Sequence, residues 1–389
     1  MGFKKIYCLV LSLALWVGCF TAGLELSHRR PLWNDELYTH VNVIAKASYS
    51  EILAGRIFEG NNSPLFYLTQ KAVCDILGYK LNRTWDGKWL MYDDYAQVIL
   101  RLAPNVFMST AITLLFFLIA YSYSLALGIL ALAVMLALPA TWFYWAEGRP
   151  YELWLLLTVI QVIFFLKTID GYDRKSWAWI GLTVTHILLS FTLVLGAVQA
   201  VQASLTLWLF HKRRLPRYFG LAVVPVAIAY FYYERSPKFK FWFDEGPVQL
   251  ILHNVPLEYW ILLVIFAALL LFFKISPKMK NISEDRDACY FIFAIAMSMV
   301  AAALLMHLKW KAIPQGEGGF AVSYRYFLFL VPLSAIAVTL AVKNLWQWFK
   351  NDPLMRLNIG ILVGGLLLLR AAKTYILILQ SATFLHIIR

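Results

Sequence analysis

Residues 101–140 read RLAPNVFMSTAITLLFFLIAYSYSLALGILALAVMLALPA and carry one charge, Arg101, at the very start. Two apolar runs, 101–120 and 122–140, adjoin in this stretch. Each is long enough to cross roughly 30 Å of hydrocarbon as a helix. Lipid offers no partner to a backbone N–H or C=O, so runs of this kind must be helical. The pattern repeats at 6–24, 150–167, 177–192, 193–210, 218–233, 259–274, 288–308, 325–342 and 357–376, which makes about eleven predicted spans. The stretch 177–210 is broken only by weak signals such as Ser190, so two spans, a re-entrant pair and one long tilted helix all fit it.

Composition agrees with this reading. The 389-residue chain is 61% hydrophobic and 15% charged, with a mean hydropathy of +0.66. That leaves too little polar surface to coat a soluble domain. Many of the 15 Trp lie near the ends of apolar runs, where amphipathic rings favour the headgroup region. The expected fold class is therefore an all-α integral membrane protein. It is a single polytopic domain over residues 1–389, with amphipathic interfacial helices in a first outer loop at 25–100. In that loop, Leu37, Val41, Ile44 and Ala45 recur at helical spacing around 35–47. Leu65, Leu68, Ala72, Ile76 and Leu77 do the same around 64–77.

The net charge of +13 is spread over short loops rather than along one face. Membrane lipid is thus the expected partner, and nucleic acid is not. Lys4-Lys5, Arg174-Lys175, His211-Lys212-Arg213-Arg214, Lys274, Lys278, Lys280, Lys343 and Lys350 all fall on one side of an eleven-span chain. The positive-inside rule makes that side cytoplasmic and predicts a multi-pass inner (plasma) membrane protein. The loop 25–100, the turn 141–149 and the segments 234–258 and 309–324 then face the periplasm or cell exterior.

Cys8, Cys19 and Cys289 fall in predicted spans and Cys74 stands alone in the first loop, so no disulfide framework or metal spacing appears. Val17-Gly18-Cys19 loosely resembles a lipoprotein signal and Ala22-Gly23 a cleavage site. The many later spans favour an uncleaved first helix. The chain ends soon after its eleventh predicted span, with no large soluble domain expected there.

Ionisable groups outside the cytoplasmic clusters need a reason, because they are costly near a bilayer. The first set is Arg29-Arg30-Pro31-Leu32-Trp33-Asn34-Asp35-Glu36-Leu37-Tyr38-Thr39. Asn34 is the expected N-cap, which puts Asp35 and Glu36 in the first helical turn. Complementing the helix dipole would alone account for both acids there. Trp33 anchors the segment at the interface, where an Asp can also take a proton from an acceptor hydroxyl.

A second set, Trp142-Phe143-Tyr144-Trp145-Ala146-Glu147-Gly148-Arg149-Pro150-Tyr151, occupies a tight outer turn. Glu147 and Arg149 either neutralise each other at a helix start or serve a ligand, with Arg149 suited to a phosphate. The third set, Ser323-Tyr324-Arg325-Tyr326, places an arginine outward against the usual bias, as an anchor or a phosphate contact. Lys309 and Lys311 lie nearby in sequence, and Gly316, Gly318 and Gly319 mark a loop without a phosphate-cradling pattern. Weaker candidates are Asn62 at a helix start and His186, which reads as a satisfied buried histidine. Glu234, Asp244 and Glu245 read as solvated charges, and Asn82-Arg83-Thr84 as a formal sequon.

The order of these motifs resembles the C-type membrane glycosyltransferases, specifically the family 39 and RgtA/B/C/D-like group. Leu32-Trp33-Asn34-Asp35-Glu36 resembles the acidic opening of that group's first outer loop. Asn62-Ser63-Pro64-Leu65-Phe66-Tyr67 resembles its His-Pro-Pro-Leu-Tyr-Tyr segment, and Arg101-Leu102-Ala103-Pro104 its Arg-Leu-Pro-Ser start of the second span. Glu147-Gly148-Arg149-Pro150-Tyr151 is similar to a Glu-Ala-Arg-x-Tyr turn, and Arg325-Tyr326-Phe327-Leu328 to a late Arg-Tyr-Leu-Leu stretch. Asn62-Ser63 in place of His-Pro removes any family role of that His, and Gly148 replaces Ala.

The resemblance implies a C-type fold and inverting transfer of a sugar from a polyprenyl- or dolichyl-phosphate donor to an acceptor hydroxyl. A lipid, a glycan or a protein could supply that hydroxyl. It implies Asp35 as general base and Glu36 as its support or as an acceptor guide. Arg149 and Arg325 would meet the lipid phosphate, with Glu147, Tyr151, Tyr326 and Asn62 lining the substrate site. No cofactor is required, although a carboxylate-bound divalent metal is compatible with the acids. The competing class is a transporter or flippase of a lipid-linked or amphipathic solute, for which internal repeats and polar mid-membrane helices are expected. A polymerase or ligase of O-antigen type would instead centre on a large late outer loop.

Overall fold

A computed structural model of the chain describes residues 3–85, 90–170, 176–210, 215–237, 252, 255–275, 287, 290–300 and 324–387. Cys289, Asp244, Glu245, Ser323, Lys309, Lys311, the glycines at 316–319 and the basic clusters at 174–175, 211–214 and 278–280 lie outside the described residues.

The helices in chain order are α1 (Phe3–Arg29), α2 (Asn34–Thr39), α3 (Tyr49–Leu53), α4 (Leu65–Ile76), α5 (Ala96–Ile99), α6 (Leu102–Ser122), α7 (Leu125–Leu136) and α8 (Pro139–Phe143). They continue as α9 (Tyr151–Asp170), α10 (Ser176–Thr192), α11 (Leu195–Phe210), α12 (Leu215–Arg235), α13 (Leu257–Ile275), α14 (Tyr290–Val300), α15 (Leu330–Trp348) and α16 (Pro353–Ile387). A helix stands at every predicted span. Among the described residues, five segments are both long and apolar enough to cross a membrane: Ile6–Arg29, Leu102–Ser122, Tyr151–Ile169, Leu330–Trp348 and Pro353–Leu379. The uncertain stretch 177–210 is two helices, interrupted at Leu193 and packed on each other.

The third span is shorter than expected. α7 stops at Leu136, and Pro139 starts the separate helix α8. The side chains of α8 explain why this break is stable. Thr141 Oγ1 donates to Met135 O at 2.7 Å and Trp142 Nε1 to Leu136 O at 2.7 Å. Both carbonyls end α7 and have no partner further along its own helix. In the first loop, the segment 35–47 divides into α2 and a π-helical turn at His40–Ile44. A short antiparallel hairpin, β1 (Arg83–Trp85) with β2 (Leu90–Tyr92), was not foreseen.

The chain forms two compact units. One contains residues 13–113 and 144–240, the other residues 1–12, 114–143 and 241–389. In the second of these, α15 is buried along most of its length, with α7, α13 and α16 packed against it. Lys373 Nζ donates to Glu258 Oε1 at 2.6 Å there, Tyr259 Oη to Val134 O at 2.6 Å, and Asp287 pairs with Lys343.

In the other unit, α9 to α12 form a bundle whose interior carries a chain of polar groups. Trp154 Nε1 donates to Gln199 Oε1 (2.6 Å), and Gln199 Nε2 to Thr158 Oγ1 (3.1 Å) and Gln161 Oε1 (3.3 Å). Gln161 Nε2 lies 3.0 Å from His186 Nε2, and His186 Nδ1 lies 3.1 Å from Leu221 O. Four residues beyond Leu221 is Pro225, which has no N–H to give that carbonyl. A carbonyl can only accept, so Nδ1 carries the ring proton and Nε2 accepts from Gln161. His186 is thus a satisfied buried histidine that replaces a missing helix hydrogen bond.

Candidate functional site

α1 ends where Arg29-Arg30 is followed by Pro31, which cannot continue the helix. Trp33 is extended (φ −106°, ψ 171°) and α2 starts at Asn34, so Trp33 is the N-cap rather than Asn34. The Glu36 carboxylate reaches back to the Trp33 N–H at 3.2 Å. One helical step apart, the two acids then part company. Glu36 is 0% exposed, whereas Asp35 keeps part of its surface.

Glu36 is held by Arg101. The guanidinium donates Nε to Oε1 at 2.7 Å and Nη2 to Oε2 at 2.5 Å. Its remaining N–H groups go to Ser27 O (3.2 Å), Arg30 O (2.6 Å) and Pro31 O (2.9 Å). Gly148 N–H adds a further bond to Glu36 Oε1 at 2.6 Å. The five donors of the arginine and the four acceptor sites of the carboxylate are therefore all in use. Burial alone would raise the Glu36 carboxyl, but the charge and hydrogen bonds of Arg101, then Gly148 and Trp33, hold it below its usual range. This pair ties the end of α1 to the start of α6 and to the turn before α9, so these three helix ends share one face.

The turn 144–150 is tight. Ala146 adopts a left-handed φ of 59° and Arg149 N–H donates to Glu147 O at 2.7 Å. A Cβ on Gly148 would meet Glu36 Oε1 at 3.2 Å, Leu100 O at 3.3 Å and His40 Nε2 at 3.5 Å. Glu147 is buried and its N–H donates to the Glu152 carboxylate at 2.7 Å. Tyr151 is buried edge-on against Tyr144, with centroids 5.6 Å apart.

Arg149 does not pair with Glu147 through its side chain. Its guanidinium meets Glu59, Nη1 to Oε2 at 3.2 Å and Nη2 to Oε1 at 3.5 Å. Nη1 also donates to Thr39 Oγ1 and lies 3.5 Å from the Asp35 carbonyl oxygen. Thr39 Oγ1 donates to Glu59 Oε2 at 2.9 Å, and Arg149 Nε is buried with no hydrogen-bond partner. Burial would lower Arg149, yet the Glu59 charge, followed by Tyr151 and Tyr67, keeps it well above its ordinary value. His40, beside both pairs, is pushed down to about 4, first by burial and then by Arg149 and Arg101.

Asn62 is engaged with backbone. Its Nδ2 donates to Gly55 O (3.0 Å) and to Arg235 O at the end of α12 (2.8 Å). Asn61 Nδ2 does the same for Thr192 O at the end of α10 (2.9 Å). These two residues cap foreign helix ends and so dock the first loop on the bundle. Arg325 and Tyr326 belong to the other unit, in a 3-10 turn where the guanidinium lies 5.7 Å from the Tyr326 ring centroid. No group of three His, Cys, Asp or Glu fit to hold a metal occurs among the described residues.

No family model matches the chain, and no curated protein does. Among solved structures, the chain is similar to the crystal structure of ArnT from Cupriavidus metallidurans in the apo state, with a TM-score of 0.49 and 16% identity. The match covers 88% of this chain and 61% of ArnT, so the chain spans less than two thirds of that protein.

Glu59, Arg101 and His40 were not among the candidates read from sequence, although Arg101 appears in a quoted motif. Arg101 is the charge that precedes a 21-residue apolar helix, and that position was the available signal. Glu59 lies three residues before Asn62 in a Gly-Asn loop and carries no comparable mark.

Proposed function

We propose that the chain is an inverting glycosyltransferase that moves a sugar from a polyprenyl-phosphate donor to an acceptor hydroxyl at the outer membrane face. Asp35 is the general base. The observation that supports this most is the separation of the acidic pair: Glu36 is saturated by Arg101, Gly148 and Trp33, while Asp35 stays accessible next to a guanidinium. Asp35 takes the hydroxyl proton as the acceptor oxygen attacks the anomeric carbon opposite the phosphate. The C–O bond to phosphate breaks with its electron pair, and the lipid phosphate leaves as an anion. Arg149, through Nε, is the countercharge for that anion. Glu36 supports Asp35 by fixing the turn, and Tyr151 packs behind Arg149.

The mid-bundle polar chain and the Pro225 break are the features a transporter would use. Trp154, Gln161, His186 and Gln199 are fully buried, though, and bond to one another and to backbone, which favours a packing role.

The test is an Asp35→Asn variant assayed in membranes with a radiolabelled polyprenyl-phosphate sugar. Near-complete loss of transfer with unchanged insertion and Tm is expected. Transfer at the wild-type rate would remove Asp35 as the base.

A further inference from the structure

Glu59 sits in the loop Phe58-Glu59-Gly60-Asn61-Asn62 and is 5% exposed. Its carboxylate accepts from Arg149 Nη1, from Thr39 Oγ1 and, at 3.2 Å, from the Gly60 N–H. Arg149 in turn reaches Thr39 Oγ1 and the Asp35 carbonyl with that same Nη1. Thr39 follows Asp35 by four residues, which is one helical turn, so Arg149 touches both ends of the turn that presents Asp35. The loop's own position is fixed by Asn61 and Asn62 on the ends of α10 and α12.

Without the carboxylate, the terminal nitrogens of Arg149 would face only neutral oxygens. The guanidinium would then be drawn to any anion within reach. With it, both terminal nitrogens are occupied and Nε is left over.

We propose that Glu59 is a positioning residue for sugar transfer: it holds Arg149 across α2, which fixes the Asp35 turn and directs Arg149 Nε as the remaining donor. The proposal rests on the glycosyltransferase reading and on Asp35 as its base. Glu59 itself touches neither substrate nor reacting atoms. Its competitor is a buried ion pair that only holds the fold. Such a pair loses stability when one charge is removed and regains it when both are.

The experiment compares Glu59→Gln, Arg149→Gln and the double variant, in full-length protein, by Tm and by transfer kinetics. Each single variant should lower Tm and the double variant should recover most of it. The kcat of Glu59→Gln should fall about tenfold or more, with KM for the acceptor little changed. A Glu59→Gln variant that loses Tm but keeps the wild-type kcat would overturn the positioning role.

A second arm needs no activity. Asp35→Cys, in a chain whose native cysteines are serine, is labelled with a negatively charged thiol reagent with and without Glu59→Gln. A change in labelling rate of about fivefold is expected, since access and local charge govern thiol reactivity. Equal rates would also sink the proposal. If the wild-type protein transfers sugar from no polyprenyl-phosphate donor, the functional reading fails, and the labelling arm alone decides on Glu59.

Discussion

The two buried ion pairs at the first loop, Glu36–Arg101 and Glu59–Arg149, have the same chemistry and differ in completeness. In the first, every donor and acceptor is taken and the contacts run from 2.5 to 3.2 Å. In the second the carboxylate–guanidinium contacts are 3.2 and 3.5 Å, a threonine is shared between the partners, and Nε has no hydrogen-bond partner. A saturated pair has nothing to offer a ligand and joins three helix ends. An unsaturated pair next to the partly exposed Asp35 has a donor to give. The difference separates the part of the loop that holds from the part proposed to work.

The largest effect should come from breaking the saturated pair. Arg101→Met leaves Glu36 charged and unpaired in the interior, a loss of about 3–5 kcal/mol. Thermal unfolding in detergent should show it as a larger fall in Tm than Glu59→Gln produces. If the two falls are equal, the distinction between the pairs collapses.

His40 supplies the next effect, because it sits between them. Its folded value of about 4 lies below the ordinary 6.5, so folding favours the uncharged ring. The unfolded chain takes up the proton first. Stability is therefore unaffected above pH 6.5 and falls as pH drops towards 4, by which point the loss amounts to about 3 kcal/mol. His40→Gln should flatten the Tm–pH curve over that window. A curve as steep as wild type would show that another group is responsible.

Gly148→Ala should be the smallest. Its Cβ would lie 3.2 Å from Glu36 Oε1, so the saturated pair must give by a few tenths of an ångström, at about 1 kcal/mol. A small fall in Tm that vanishes in an Arg101→Met background would place the cost on that pair.

Much of the fold was legible because membrane spans are written in contiguous residues. Period, length and flanking charge located a helix at every predicted position. The third span was misjudged because the break at Pro139 is stabilised by Thr141 and Trp142 reaching backwards, an arrangement hydropathy does not register. The site was legible only in part. Spacing and residue type do not separate Asp35 from Glu36, which only the resemblance set apart; burial of Glu36 against Arg101, 65 residues away, gives the physical difference. Arg149 pairs with Glu59 across 90 residues, whereas spacing suggested its neighbour Glu147. Asn62 was read as a ligand contact, yet its amide donates to Gly55 O and to the end of α12 at Arg235 O, 173 residues away. Long-range pairing of this kind leaves no local signature.

The bond from His186 to Leu221 O bears on how the bundle of α9 to α12 is put together. α12 carries a carbonyl that its own helix cannot pair, since Pro225 has no N–H. A buried carbonyl left unpaired costs about 1–3 kcal/mol. The ring that relieves it lies on α10, which is synthesised earlier and packs directly on α12. α12 is thus completed by a helix that precedes it in the chain, and its docking on α10 supplies the bond that its own sequence withholds.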